Sequence, residues 1–168
     1  MNGYFPFLID IKGKNCLVAG EGSVGERKAC ILRRFGANVK TTSAFRDDLT
    51  KNMFLVVAAT NDAKINHEIA TVCRSRGILV NVVDDAQASD FIFPAIATKE
   101  PFVVAVSTGG KCPAAAALLR KELEEKICDE ACKKIEKLAE NLQEIREKFP
   151  NIDERRHWLC NQIGKIMV

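Results

Sequence analysis

Apolar residues recur along this chain in two rhythms, and the change from one to the other organises it. Residues 15–20, NCLVAG, form a short solid apolar run ending in glycine, as a buried parallel strand does. Val24 to Phe35 then reads as a helix, with Ala29, Leu32 and Phe35 on one face and Gly36 at its C-terminal side. ANVKTTS (37–43) is a second strand, so strand, glycine-rich turn, helix and strand make a βαβ unit. MFLVVAAT (53–60) is another buried strand. Asp62 suits the N-cap of a following helix that carries Ile65, Ile69, Val72 and Cys73 on one side and stops near Gly77. ILVNVVD (78–84) is the next strand. DFIFPAIAT (90–98) and PFVVAVS (101–107) read as two strands joined by a turn around Lys99-Glu100-Pro101. That pair departs from the alternation and predicts an antiparallel addition at the end of the sheet.

From Pro113 the rhythm becomes a long charged helix. Leu119, Leu123, Ile127, Ala131, Ile135, Leu138, Leu142, Ile145 and Phe149 recur at spacings of three and four. After Phe149-Pro150, residues 152–168 read as a further amphipathic helix. So long a stripe predicts packing against a second copy of the chain, with an intramolecular helical hairpin as the alternative. The expected division is an α/β, Rossmann-like domain over residues 1–112, carrying the antiparallel strand pair at its C-terminal end, and a helical dimerisation and substrate-cleft domain over residues 113–168. One interval is too short for this plan. Between Ser43 and Asn52 lie ten residues, SAFRDDLTKN, where a full dinucleotide-binding fold places a helix and a further strand.

Composition narrows the class. Of 168 residues, 47% are hydrophobic and 28% charged, and Lys plus Arg at 25 against Asp plus Glu at 22 leaves a net charge of +3. That excess is too small for a nucleic-acid-binding surface, so an anionic partner has to be recognised locally. Seven cysteines contain no C-x-x-C, and no His or Cys cluster completes a zinc site around Cys128 and Cys132, which predicts reduced thiols. MNGYFPFLID lacks the basic segment of a signal peptide, and no window approaches a membrane span. A cytoplasmic protein is the expectation.

Three segments carry candidate chemistry. Gly20-Glu21-Gly22-Ser23-Val24-Gly25 is a G-x-G-x-x-G between strand and helix. Gly20 permits the tight turn, Gly22 lets backbone approach a pyrophosphate, and Gly25 lets the helix pack close to the strand. The helix N-terminus adds N–H groups and a positive dipole end. The second strand ends in Thr41, Thr42, Ser43 and Ala44 without the acid that would bind ribose hydroxyls, and Arg46 nearby could meet a 2′-phosphate. The residues alone leave NAD against NADP open. NVVDDAQASDF places Asp84 and Asp85 at the C-terminal end of a buried strand, the edge where open α/β sheets bind ligands. A carboxylate there serves as a general base, a metal ligand or a turn cap, and Asp90 competes for the role. STGGKCP joins Ser107, Thr108, Gly109, Gly110 and Lys111 to Pro113 at the start of the long helix, a second anion site or a plain hinge. His67 and His157 stand apart from these motifs.

Together, YFPFLIDIKGKNCLVAGEGSVGERKA, FLVVAATND, VNVVDDAQASDFIFPAIA and VVAVSTGGKCPAAAALLRKELE resemble, in content and order, the precorrin-2 dehydrogenase / sirohydrochlorin ferrochelatase family, as in the N-terminal region of siroheme synthase. The resemblance covers roughly residues 4–125. It implies NAD-dependent oxidation of precorrin-2 to sirohydrochlorin, with insertion of ferrous or cobaltous ion in some members. It places Ser23 and Val24 at the pyrophosphate turn, Ser43 and Ala44 near the adenosine, and Thr60 at the end of the next cofactor-side strand. It makes Asp84 the catalytic acid or base, and Asn81, Ser107, Gly109, Gly110 and Lys111 substrate-binding. Lys99 and Arg120 could add positive charge for a polycarboxylate substrate. It also implies a homodimer through the helical tail. The alternatives are a non-catalytic NAD- or tetrapyrrole-binding module and a metal chelatase alone. Family members usually carry a helix and strand between the equivalents of Ala44 and Phe45, so a break or an excised segment is expected there. Glu21 stands where many members have glycine.

Overall fold

The computed structural model describes residues 4–164, so the start of MNGYFPFLID and the last four residues of the expected final helix lie outside the described residues. Contacts divide the chain into two compact units, one ending at Phe93 and the other beginning at Pro94. The division expected near residue 112 falls within the second unit, because the antiparallel pair packs on the helix that follows it.

The first unit is a parallel sheet of four strands, β1 (Asn15–Ala19), β2 (Asn38–Thr42), β3 (Leu55–Ala58) and β4 (Leu79–Val82), in the order β2-β1-β3-β4. Helix α1 (Ser23–Arg34) follows β1, and α2 (Ala63–Ser75) joins β3 to β4. Strand alternation splits β1 between two cores. Cys16 and Val18 pack with Ala29 and Leu32 of α1, while Leu17 and Ala19 pack with Ile69, Ala70 and Cys73 of α2. Burial on both faces is why these strands are solid apolar runs. It also pushes the Cys16 and Cys73 thiols up to about 11, since burial disfavours the thiolate.

Helix α2 buries Asn66, Ile69, Ala70 and Cys73, and leaves Ile65 on its exposed side. The expected apolar face is thus displaced by one residue at its first turn. Its cause is polar: Asn66 holds the backbone at the end of β3. Residues 91–93, expected as strand, form a loop that lays Phe91 and Phe93 over the α1-side core. The chain passes without interruption from β2 through Ala44–Phe45 and a 3-10 turn at Asp47–Thr50 into β3. Of the break or excised segment expected there, the break is corrected, since the backbone is continuous, and β2 is left as a sheet edge among the described strands.

The second unit pairs β5 (Ala95–Lys99) with β6 (Phe102–Val106) antiparallel and packs α3 (Pro113–Lys126) on both. The long helix expected from Pro113 to Phe149 is broken into α3, α4 (Asp129–Glu140) and α5 (Leu142–Lys148), followed by α6 (Ile152–Gly164). The first break is local chemistry. Ile127 leaves helical geometry, and the Cys128 sulfur accepts a hydrogen bond from the Ala131 amide as N-cap of α4. Lys99 reaches across from β5 to donate to the Ile127 carbonyl at 2.6 Å and pair with Asp129 at 2.8 Å. That contact raises the lysine and lowers the carboxyl from their ordinary values. Within this unit α4 packs on α5 and α6, and Phe149 stacks on Trp158 at 5.2 Å.

Candidate functional site

The registers Ala19↔Thr42, Ala19↔Ala58 and Ala58↔Val82 bring the C-terminal ends of the four parallel strands level. What emerges there, side by side, is the glycine turn after β1, Ser43 and Ala44 after β2, Thr60 after β3 and Asp84 after β4. In an open α/β sheet this edge binds ligands.

The three glycines of the turn differ in what confines them. Gly20 has φ 121°, and a Cβ built on it would lie 2.1 Å from the Ala59 carbonyl oxygen. Its amide donates to the Thr42 carbonyl at 2.8 Å, so the turn is tied to the neighbouring strands on both sides. A Cβ on Gly25 would lie 2.0 Å from the Gly20 carbonyl oxygen, which is how closely α1 packs on the turn. Gly22 has φ −71°, and a Cβ there would meet nothing within 4 Å. Gly20 and Gly25 therefore serve the fold, and Gly22 serves the open side. Gly22 is the N-cap of α1, whose first turn has no side-chain cap, and Ser23 and Val24 are its first residues. Uncapped N–H groups beside an open glycine fit a pyrophosphate.

The walls of this turn are held by polar groups that sequence reasoning passed over. Asn66, buried on α2, accepts from the Thr60 amide at 3.0 Å and the Thr60 hydroxyl at 2.7 Å, and donates back to the Thr60 carbonyl at 3.0 Å. Thr60 is thus fixed from within, and Asp62 caps α2 beside it through the Lys64 amide at 2.8 Å. At the end of β2, the Thr42 hydroxyl donates to the Ala44 carbonyl at 2.8 Å, folding Ser43 and Ala44 into a bend.

Three acids follow β4, and the structure separates them. Asp90 accepts from the Val80 amide at 3.0 Å and from Arg74 at 3.2 Å, closing the loop onto the strand. Asp85 accepts from the amides of Gln87 and Ala88 at 3.0 and 2.9 Å and lies 3.2 Å from His67 Nε2. Both are structural caps. Asp84 is exposed, has φ 61°, and has no hydrogen bond or ion pair among the described residues. The Asp85 amide donates to the Val82 carbonyl at 3.2 Å, which makes this a turn whose third residue takes the left-handed conformation. Holding a non-glycine residue there costs about 1 kcal/mol or more. Asn81, just inside, is 7% exposed and donates to the Phe91 carbonyl at 2.9 Å and to Ser89 at 3.4 Å. In this structure its amide orders the loop that carries Asp84.

The second unit holds the other expected group. Ser107 Oγ accepts from the Gly109 amide at 3.1 Å, and Thr108 Oγ1 accepts from the Cys112 amide at 2.9 Å. Gly109 and Gly110 have φ 63° and 81°, and the space where a Cβ would stand on Gly110 is open. This loop delivers the chain to α3, whose N-cap, Cys112, makes no side-chain hydrogen bond. Lys111 is exposed beside it. Lys99 is committed to Asp129, and Arg120 to Glu124 one turn on, so neither is the loose positive charge the sequence suggested. Among the described residues no cluster of His, Cys, Asp and Glu is arranged to hold a metal ion, and no helix is long and apolar enough to cross a membrane.

Comparison with known proteins agrees with this geometry. A family model described as "Putative NAD(P)-binding" matches residues 7–46 and 41–95, and one described as "Sirohaem biosynthesis protein central" matches residues 104–126. Siroheme synthase of Buchnera aphidicola is 39% identical over 175 residues, and that of Nitrosococcus oceani 33% over 174, each alignment covering 91% of this chain and 37% of the relative. This chain thus spans little more than a third of those relatives. Both alignments are longer than the chain itself, and the first family model matches in two pieces that meet at residues 41–46. The relatives therefore carry residues that this chain lacks, and the seam falls at the shortened passage from β2 to β3. A solved structure described as "SirC, precorrin-2 dehydrogenase" shares the fold, with a TM-score of 0.61, 18% identity and coverage of 96% of this chain.

Proposed function

The chain belongs to the NAD(P)-binding family that the siroheme synthases share, the precorrin-2 dehydrogenase / sirohydrochlorin ferrochelatase family, and from that premise we propose that it oxidises precorrin-2 to sirohydrochlorin with NAD⁺. The observation that carries the reading is Asp84: an uncommitted carboxylate, in a left-handed turn, on the same strand-end edge as the open glycine turn.

Gly22, Ser23 and Val24 would hold the pyrophosphate of a nicotinamide dinucleotide on the turn that Gly20 and Gly25 shape, with Ser43 and Ala44 toward the adenosine and Thr60 as the rigid wall fixed by Asn66. Bound there, the nicotinamide supplies the hydride acceptor. Asp84 takes the proton that the tetrapyrrole loses as it gives up a hydride, and the same carboxylate suits removal of pyrrole protons when ferrous or cobaltous ion is the second substrate. Asn81 positions Asp84 through the 84–91 loop. Ser107, Gly109, Gly110 and Lys111 offer amides and a cation to acidic side chains of the tetrapyrrole. NAD rather than NADP is favoured because Arg46 is paired with Asp48 at 3.2 Å rather than open to a 2′-phosphate. Leu118 and Leu119 are 62% and 46% exposed on α3, which supports a homodimer through the helical tail.

Anaerobic incubation with precorrin-2 and NAD⁺ or NADP⁺, with and without ferrous or cobaltous ion, tests the reading. NADH formation coupled to appearance of sirohydrochlorin is expected. Tetrapyrrole binding without turnover would make the chain a binding module, and metal insertion that ignores NAD⁺ would make it a chelatase alone.

A further inference from the structure

Lys28 lies on the second turn of α1, three residues beyond Gly25, and its ammonium sits 4.0 Å from the centroid of the Phe93 ring. Phe93 is itself fixed, packed 5.5 Å from Phe91 and against the α1-side core. The lysine is half-buried. Four arginines of this unit meet acceptors of the chain: Arg33 pairs with Glu26, Arg46 with Asp48, Arg74 with Asp90, and Arg76 with the Asp47 carbonyl and Thr50. Lys28 has no hydrogen bond or ion pair among the described residues; its contact is an aromatic face.

Burial and the neighbouring Arg27 draw the Lys28 ammonium below the ordinary lysine range, and the Asp84 carboxylate pulls it back. Lys28 stands on the helix that leaves the glycine turn, and Asp84 follows β4 on the same strand-end edge, so the two lie on one side of the sheet without pairing. A desolvated cation with no anion in contact, close to a candidate catalytic acid, marks a binding position more than a stabilising one. Like charges explain why it would be needed. A polycarboxylate brought to Asp84 is repelled by it, and a fixed cation alongside offsets that repulsion.

We infer that Lys28, held against Phe93, is the cationic contact for an acidic side chain of the polycarboxylate tetrapyrrole and seats that substrate beside Asp84. This rests on the dehydrogenase reading above. Lys28 acts in binding, and Asp84 in proton transfer.

The test is fluorescence titration of the full chain with sirohydrochlorin, and separately with NAD⁺, for the parent and for Lys28→Met and Lys28→Arg. Lys28→Met should weaken sirohydrochlorin binding on the order of ten-fold or more, the usual worth of a charge-assisted hydrogen bond. NAD⁺ affinity and the melting temperature should be unchanged, and Lys28→Arg should restore most of the loss. In turnover, KM for precorrin-2 should rise more than kcat falls. Parent-like sirohydrochlorin binding by Lys28→Met overturns the inference alone, as does a fall in kcat with KM unchanged. A parent chain that binds no sirohydrochlorin and forms no NADH overturns the functional reading, and this inference with it.

Discussion

Gly20 and Gly22 stand two residues apart in one turn, yet alanine should do opposite things at the two positions. At Gly20 the new Cβ would lie 2.1 Å from the Ala59 carbonyl oxygen, 2.4 Å from its carbon and 2.9 Å from the Thr60 nitrogen. All three are backbone atoms, and the Ala59 amide is already bound to Ala19 at 2.7 Å, so the strand end has little room to yield. The φ of 121° adds its own cost for a residue with a Cβ. Strain of about 1–3 kcal/mol and overpacking of about 1–3 kcal/mol sum to roughly 2–6 kcal/mol, a large part of the ~5–15 kcal/mol that holds a typical domain. At about 2–4 °C per kcal/mol for a chain of this size, Gly20→Ala should lower the melting temperature by about 10 °C. Gly22→Ala keeps an ordinary φ and meets nothing, so it should cost only about 1 kcal/mol or less as an altered N-cap. Its methyl group would stand where a pyrophosphate must approach, and NAD⁺ affinity should drop on the order of ten-fold or more. Circular dichroism melts and NAD⁺ calorimetry on the two variants decide the matter. A Gly20→Ala protein that melts with the parent, or a Gly22→Ala protein that binds NAD⁺ like the parent, would refute the division of labour within the turn.

Other substitutions separate chemistry from scaffolding. Asp84→Asn tolerates the left-handed turn, so the melt should be unchanged while NADH formation from precorrin-2 falls about 10²-fold or more. Asp90→Ala should leave the Val80 amide without its acceptor and lower stability by about 1–3 kcal/mol, read from the urea midpoint. Asn66→Ala should lower stability by a similar ~1–3 kcal/mol and weaken NAD⁺ binding through a loosened Thr60, with both measured on the same preparation. The two buried thiols give an alkaline limit. The folded chain keeps both protons up to about 11, whereas the unfolded chain loses them near the ordinary 9.0. Their stabilisation is therefore whole below about pH 9 and is lost as pH rises toward 11, so the urea midpoint should fall between about pH 8 and about pH 10. Replacing Cys16 and Cys73 with alanine should flatten that slope.

Period and punctuation made the parallel sheet legible. Solid apolar runs ending at Gly20, Thr60 and Asp84 could hardly be anything but strands buried on two faces, and all of them are. The glycine pattern located the turn, but not the different duties of Gly20, Gly22 and Gly25, which depend on how near another strand's backbone comes. Residue type alone could not rank Asp84, Asp85 and Asp90. What distinguishes them is which amides each carboxylate reaches, and that follows from a turn geometry that no spacing encodes. Asn66 and Lys28 were illegible for a related reason: a polar residue inside a helix looks solvated until its partners, Thr60 and Phe93, are brought in from elsewhere in the chain. In the tail the stripe was real, but a periodic pattern does not reveal its own interruptions: the break at Ile127 goes with the Cys128 cap, and at the break at Asn141 the side-chain amide donates back to the Lys137 carbonyl.

The shortened passage between β2 and β3 has one more result. With no strand beyond it among the described residues, Asn38–Thr42 offers a row of backbone donors and acceptors along its outer side, the arrangement by which separate molecules template one another into aggregates. The segment is five residues long, reads NVKTT, and puts a lysine at its centre. Brevity and a central charge are the usual defences of an unprotected border, and this one has both. The border that β2 presents is thus unsuited to self-association, and Lys40 is its guard.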